Sequence, residues 1–308
     1  MIAAEFEGEV RQLQDRHADR GPTICDPWAT AVQEMGALCE QMGIGDLRPV
    51  KPFHRAGRNK AGRLVARGRI EGRDVKVYEA ASAEHARFIQ AVSRHAHLAG
   101  LFPAVIDVRQ SFVVAEWVNG GLRAVVRPQD LAGLLCRVHQ ANPENLPAPG
   151  FDYWRDVVYP RFLRTSEVLG ELALARDIDA QVSEAWRRPV CLMHPDCTMA
   201  NVVRESALDL YIIDNELLCL GGFPLLDLAN AVSSLGPQDA RDCVAAYLRM
   251  SDMQPTGEDK SVLEAAWLAR CVGSAHAADD LGLAARLIAC YRSGGSVLGG
   301  GTRSIWGR

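Results

Sequence analysis

The chain has 308 residues and a net charge of −4, with 48% apolar and 23% charged positions. That length suits one large two-lobed domain or two modest ones. The composition is that of a globular protein, and the acidic balance excludes broad electrostatic binding to nucleic acid. No apolar run is long enough to span a bilayer.

The first stretch, MIAAEFEGEVRQLQDRHADR, is acidic and amphipathic and lacks the apolar centre of a secretory leader. The nine cysteines are scattered without a Cys-x-x-Cys pair, mostly among Leu, Val and Ala. They read as buried, reduced thiols of a cytoplasmic protein. In CDPWATAVQEMGALCEQMG, Asp26 suits an N-cap and Pro27 the first helical position, which predicts a helix.

From about 48 to 80 the texture is β-type. The runs LRPVKPFHR, RLVARGRI and RDVKVYEA, separated by AGRNKAG and EG, predict an antiparallel meander. SAEHARFIQAVSRHAHLAG predicts one helix ending at Gly100. Two more strands follow in AVIDVRQ and SFVVAEWV, then the turn residues Asn119, Gly120 and Gly121. Beyond 121 the pattern is helical, in RPQDLAGLLCRVHQA and over roughly 152–188, 237–250, 259–277 and 282–292. CLMHPDCTMANVVRESALDLYIIDNELL interrupts it with short apolar runs and polar insertions, and the end, SGGSVLGGGTRSIWGR, is glycine-rich. The expected fold class is α+β and bilobal. It divides into an N-terminal helical extension (1–47), a small β-rich lobe (48–118) and a larger helical lobe (119–308).

The chemistry concentrates in His194-x-Asp196-x-x-x-x-Asn201, followed by a β-type run that ends in Asp214. This spacing matches the catalytic loop and metal-binding aspartate of kinase-like phosphotransferases. Phosphoryl transfer needs a carboxylate that positions the attacking hydroxyl and accepts its proton, and Asp196 is the candidate. It also needs hard oxygen ligands for Mg²⁺, which Asn201 and Asp214 supply. The competing reading is a surface turn, since His, Pro, Asp and Asn are all good turn residues. The site reading is preferred because other parts follow in the expected order.

Upstream, Lys76 alternates with Val75 and Val77, so it faces away from the valines, toward where nucleotide phosphates would lie. Glu84, at the start of the next helix, is the preferred ion-pair partner, with Glu79 as competitor. Gly57 and Gly62 lie in RAGRNKAG among Arg55, Arg58, Lys60 and Arg63, where backbone N–H groups and positive charge suit phosphates; a plain hairpin has the same look. FVVAEWVNGG is the expected connector, with the backbone near Glu116 and Val118 positioned for an adenine ring.

With these parts in order, residues 50–235 resemble the aminoglycoside phosphotransferase and choline kinase family of the protein-kinase-like superfamily. The resemblance rests on VKVY, the helix with Glu84, AEWVNG, the LAGLLCRVHQ helix ending in His139, HPDCTMAN, IIDNE and GGFPLLDLAN. It implies a structural role for Asp227. Relatives usually carry Gly where Pro195 stands and often Pro-Gly where Met199-Ala200 stand. Thr198 replaces the lysine of most protein kinases. Asp214 and Asp227 are too close to enclose an activation segment, which points away from peptide substrates.

The resemblance therefore implies a Mg²⁺-dependent kinase that moves the γ-phosphate of ATP or GTP to a small-molecule hydroxyl, with no nucleic-acid partner. Asp279-Asp280 and the Asp152/Asp156 pair are candidate acidic contacts for a cationic acceptor, with ordinary helix surface as the plainer reading. Two alternatives stay open: a kinase for a sugar on a larger carrier, for which WRRP and the arginines near 155–164 suit an anionic acceptor, and a nucleotide-binding pseudokinase. A zinc site at His95/His97 or at Cys191/His194/Cys197 lacks tetrahedral ligand spacing.

Overall fold

The computed structural model describes residues 27–50, 64–119, 126–204 and 210–298. These divide into two compact units. The first holds 27–50, 64–95, 103–119 and 147–150, and the second holds 96–102, 126–146, 151–204 and 210–298. Asp26, Gly57, Gly62 and the glycine-rich end beyond 298 lie outside the described residues.

In the first unit, helix α1 (Pro27–Gln41) leads into strands β1 (Gly45–Pro49), β2 (Val65–Ile70) and β3 (Arg73–Glu79). Helix α2 (Ala83–Ser93) and strands β4 (Val105–Arg109) and β5 (Phe112–Glu116) complete it. The sheet is antiparallel, in the order β1-β2-β3-β5-β4. Period-two alternation assigns its faces. Val75 and Val77 are fully buried, joining Ala66, Phe112 and Val114 beneath Val32, Met35 and Cys39 of α1. The N-terminal helix therefore roofs one face of the sheet. The boundary expected at 47/48 falls inside β1, and α1 packs with the sheet in one core.

Helix α2 is shorter than its sequence predicts. Ser82 caps it by accepting from the His85 N–H at 3.1 Å. At its other end the hydroxyl of Ser93 donates to the Gln90 carbonyl, and Arg94 and His95 make tighter three-residue bonds to Ala91 and Val92. The helical bonding ends there, and residues 96–102 belong to the second unit.

The second unit contains α3 (Pro128–His139), α4 (Tyr159–Val168), α5 (Leu172–Trp186), α6 (Pro224–Val232), α7 (Pro237–Ser251), α8 (Gly257–Ala277) and α9 (Leu281–Arg292). Two short ladders run between them: β6 (Cys191–Met193) with β9 (Cys219–Gly221), and β7 (Val202–Arg204) with β8 (Leu210–Ile212). The single helix expected over 152–188 is three pieces: a π-type turn (Trp154–Val158), α4 and α5. Gly170, at φ 73°, ends α4. Its N–H reaches the Glu167 carbonyl, and the next N–H, of Glu171, reaches Ser166, which is a Schellman stop. Helix α6, absent from the sequence expectation, starts at Pro224.

Helix α8 is the hub, buried along Val262, Leu263, Ala265, Ala266, Leu268, Ala269 and Val272, with α4, α5 and α9 packed against it. A reciprocal Thr256–Asp259 capping box starts it. Among the described residues no helix is long and apolar enough to cross a membrane. The eight described cysteines are free.

The roofing role of α1 is testable. Met35 has no exposed surface, so Met35→Ala should cost about 2–4 kcal/mol. A lower urea midpoint and faster amide exchange in β1–β3 are the expected readouts.

Candidate active site

Residues 194–201 form the loop between β6 and β7, so both ends are held by strand ladders. Inside it, the Cys197 N–H bonds the His194 carbonyl at 2.9 Å and the Thr198 N–H bonds the Asp196 carbonyl at 2.8 Å. A short 3₁₀ turn, Met199–Asn201, returns the chain to β7. The Asn201 amide donates to both the Asp196 carbonyl (2.8 Å) and the Asp196 carboxylate (2.9 Å). Asp196 is 3% exposed and Asn201 8%.

The rear of the loop hangs on Asp227 of α6, which has no exposed surface. Its Oδ2 accepts from the His194 backbone N–H at 2.5 Å and meets His139 Nε2 at 3.2 Å. His139 Nδ1 lies 2.7 Å from the Tyr247 hydroxyl. Burial pushes the Tyr247 phenol far above its ordinary range, so it is the donor to Nδ1 and leaves Nε2–H for the carboxylate. One turn on, the Asn230 amide donates to the Pro195 carbonyl. The His194 ring points elsewhere: its Nε2 is 3.1 Å from Asn215 Oδ1, and it stacks on Phe102 with centroids 6.2 Å apart.

Asp214 follows β8, and the neighbouring Ile213 N–H bonds the Asn201 carbonyl at 2.8 Å. Asp214 is therefore the residue after the one that faces Asn201. Asp214 sits at φ 62°, ψ 52°, the left-handed region. Asp adopts this region more readily than most non-glycine residues, and five other non-glycine residues among those described also have positive φ. The amide oxygen of Asn201 and the carboxylate of Asp214 are hard donors of the kind Mg²⁺ takes alongside phosphate oxygens. Among the described residues no group of three or more His, Cys, Asp or Glu residues forms a metal cluster.

In the first unit, Lys76 is half-buried on the face opposite Val75 and Val77, paired in register with Arg67 and Ala115. Its ammonium lies 4.9 Å from the Tyr78 ring centroid. Glu84 is not the partner the sequence favoured: its carboxylate pairs with Arg87 at 3.2 Å and is 60% exposed. The Ser82 cap and Arg87 hold it below the usual carboxylate range, after its own backbone N–H. Glu116 is exposed at the end of β5, where its N–H bonds the Ala104 carbonyl, and Val118 is partly buried two residues on.

Sequence reasoning missed Asn230 and Asn215, which fix the loop, although Asn230 stands one turn from Asp227 in DLAN. It also missed Tyr153 and Arg270, whereas Arg161 falls among the arginines near 155–164 already singled out. Tyr153 is 5% exposed. Burial pushes its phenol up, the Asp196 charge adds to that, and the positive charges of Arg270 and Arg161 oppose it. Of the acidic residues weighed as acceptor contacts, with helix surface as the plainer reading, three accept from backbone N–H groups. Asp152 accepts from the Arg155 N–H (3.0 Å), Asp156 from the Asp152 N–H (2.7 Å), and Asp280 from the Leu283 N–H (2.7 Å).

The sheet-bearing unit, the helical unit with its loop between two ladders, and the Asp196–Asn201–Asp214 order define a protein-kinase-like phosphotransferase fold. The profile of the phosphotransferase enzyme family (APH) matches residues 59–261, more than half of the chain, and the chain belongs to that family. No curated protein matches by sequence. Among solved structures, the chain is similar to a fructosamine-3-kinase, described as putative in its source, from Haemophilus somnus 129PT, at 14% identity and TM-score 0.54 over 83% of this chain and 95% of that one. It is also similar to a thermostable mutant of aminoglycoside phosphotransferase APH(4)-Ia, at 18% identity and TM-score 0.56 over 83% and 98%. A microcompartment-associated aminopropanol kinase follows at 16% and 0.53 over 77% and 91%. Identities this low carry the fold alone.

Burial holds the loop thiols protonated: Cys191 is pushed up to about 12, and Cys197 is raised well above its ordinary value. Alkylation of both by iodoacetamide in the native protein should be negligible at pH 8 and complete after unfolding, as peptide mass mapping would read. Asp227→Ala should cost about 3–5 kcal/mol by stranding the donors of His194 and His139, measured as a loss of unfolding free energy in urea.

Proposed function

We propose that the protein is a Mg²⁺-dependent kinase that transfers the γ-phosphate of ATP or GTP to a hydroxyl of a small molecule. The observation that carries this reading is the Asp196 carboxylate, buried yet held in one orientation by the Asn201 amide and by its own loop. A carboxylate so fixed orients a hydroxyl and takes its proton as the oxygen attacks phosphorus.

Asn201 and Asp214 would hold the metal, consistent with the Ile213–Asn201 backbone bond one residue before Asp214. Mg²⁺, when bound, neutralises charge on the transferring phosphates. Lys76 supplies a half-buried cation on the sheet face opposite the α1 core and suits the nucleotide phosphates. The backbone near Glu116 and Val118 remains the proposed adenine contact. Lys76, Asp196, Asn201 and Asp214 are all present, which favours catalysis over a pseudokinase role.

Asp196→Asn should lower kcat at least a thousandfold while the Kd for Mg²⁺–ATP stays within threefold, read by calorimetry and by ADP release with a working acceptor. Unchanged turnover would remove Asp196 from the chemistry. Asp214→Ala should instead weaken Mg²⁺-dependent nucleotide binding at least tenfold, and equal affinity in both proteins would end its ligand role.

A further inference from the structure

A cavity of about 360 Å³ lies within the helical unit, on the side of the 194–201 loop where His139 and Tyr247 stand, and none of Asp196, Asn201 and Asp214 lines it. Gly222 lies so close to the end of α5 that a Cβ there would come 2.6 Å from the Arg188 carbonyl oxygen, and its N–H bonds the Trp186 carbonyl at 3.0 Å. Arg188 ties this corner to the start of α8 through Asp259 and, at 2.8 Å, Glu258. On the α3–α7 side, the Cys136 thiol donates to the Tyr247 carbonyl at 3.6 Å and the Gln140 amide to the Met250 carbonyl at 3.4 Å. Walls tied in this way resist closing over the space, and apolar walls without a neighbour forgo their dispersion contacts.

The lining defines the occupant. Its polar groups already have partners: Arg188 has two carboxylates, Ser251 donates to the Tyr247 carbonyl at 2.8 Å, and both His139 ring nitrogens are engaged. A charged guest would be desolvated there without a counter-charge. The rest of the wall is apolar, with Phe223, Pro224 and Leu225 beside sulfur from Cys136, Cys191 and Met253. Burial keeps both thiols protonated, Cys136 pushed up to about 11 and Cys191 to about 12. Sulfur and ring surfaces favour contact with an aromatic ring. Apolar cavities of about 150 Å³ hold a benzene-sized ring, so this one has room for a fused pair.

The same wall contains His139 and Tyr247, joined at 2.7 Å, and His139 meets Asp227, which also accepts from the His194 backbone N–H. We propose that the cavity is a regulatory site for an uncharged, fused bicyclic aromatic molecule, whose presence is passed to the 194–201 loop through Tyr247, His139 and Asp227. A guest against this wall excludes water from the hydrogen bonds behind it and strengthens them. The loop is then held more tightly when the site is filled.

The test uses the full-length protein and indole, with tryptamine and indole-3-acetate as its charged counterparts. Titration calorimetry should give indole a Kd of about 1 mM or tighter, and each charged counterpart should bind at least tenfold more weakly. Met253→Trp, which fills the cavity from a partly exposed position, should abolish indole binding. Met253→Ala, a milder change, should weaken it severalfold, so the outcome does not depend on how the tryptophan variant folds. Amide exchange read by mass spectrometry should slow at least threefold over 191–203 when indole is bound. In Tyr247→Phe, indole should still bind within threefold of the wild type, while that protection vanishes with the donor to His139. Absence of indole binding overturns the proposal, as does equal binding of either charged counterpart, or binding that survives both Met253 variants unchanged. Displacement of indole by Mg²⁺–ATP would put it in the nucleotide region and overturn the proposal too. Protection that persists in Tyr247→Phe overturns the route to the loop. Every readout is of binding or exchange, so each stands apart from the kinase reading.

Discussion

A carboxylate with no exposed surface must be met by donors or give up its charge, and Asp227 is met by two that belong to different parts of the helical unit. One is the backbone N–H of His194, at the mouth of the 194–201 loop, and the other is the imidazole of His139 at the end of α3. Tyr247 of α7 fixes the imidazole in turn. The loop's start is therefore set by three helices at once, and Asn230 clamps the next residue from the same helix as Asp227. The placement of Asp196 follows from this chain of contacts.

The front of the loop is determined differently. Asn201 returns to Asp196 through two hydrogen bonds, and the Ile213 N–H, one residue before Asp214, bonds the Asn201 carbonyl. The left-handed backbone at Asp214 turns the chain sharply after β8 into the 3₁₀ turn that carries Asn215, whose amide oxygen meets the His194 ring. Rear and front are thus linked through one imidazole: its backbone answers to α6 and its ring to the segment after Asp214.

Much of this organisation is legible in the sequence, because it depends on short-range pattern. The alternation of VKVY placed Lys76 opposite the valines, and the spacing from His194 to Asn201 marked the loop. What escaped was set by tertiary contact. Helix α2 ends early through local serine and three-residue bonding at a point where the pattern is still helical. Gly170 divides a helix whose apolar period runs through it. Glu84 stands at the predicted position but faces Arg87, three residues along its own helix, a pairing that periodicity also allows. Arg270 lies far along the chain from Tyr153, and no spacing rule relates them. Asp280 is the N-cap of α9, and Asp152 and Asp156 accept from backbone N–H groups close by, local roles that sequence alone does not separate from a charge cluster.

The crossing at Gly273 separates frame from face. Backbone meets side chain there without an intervening group, so the distance between α4 and α8 is fixed by glycine itself, and any larger residue would have to push the helices apart. Arg270, one turn away, is held by an aromatic ring on its own helix and takes no part in that crossing. A methyl group at 273 would therefore be felt as a shift of α4 against α8, whereas a change at Arg270 would leave that spacing as it is.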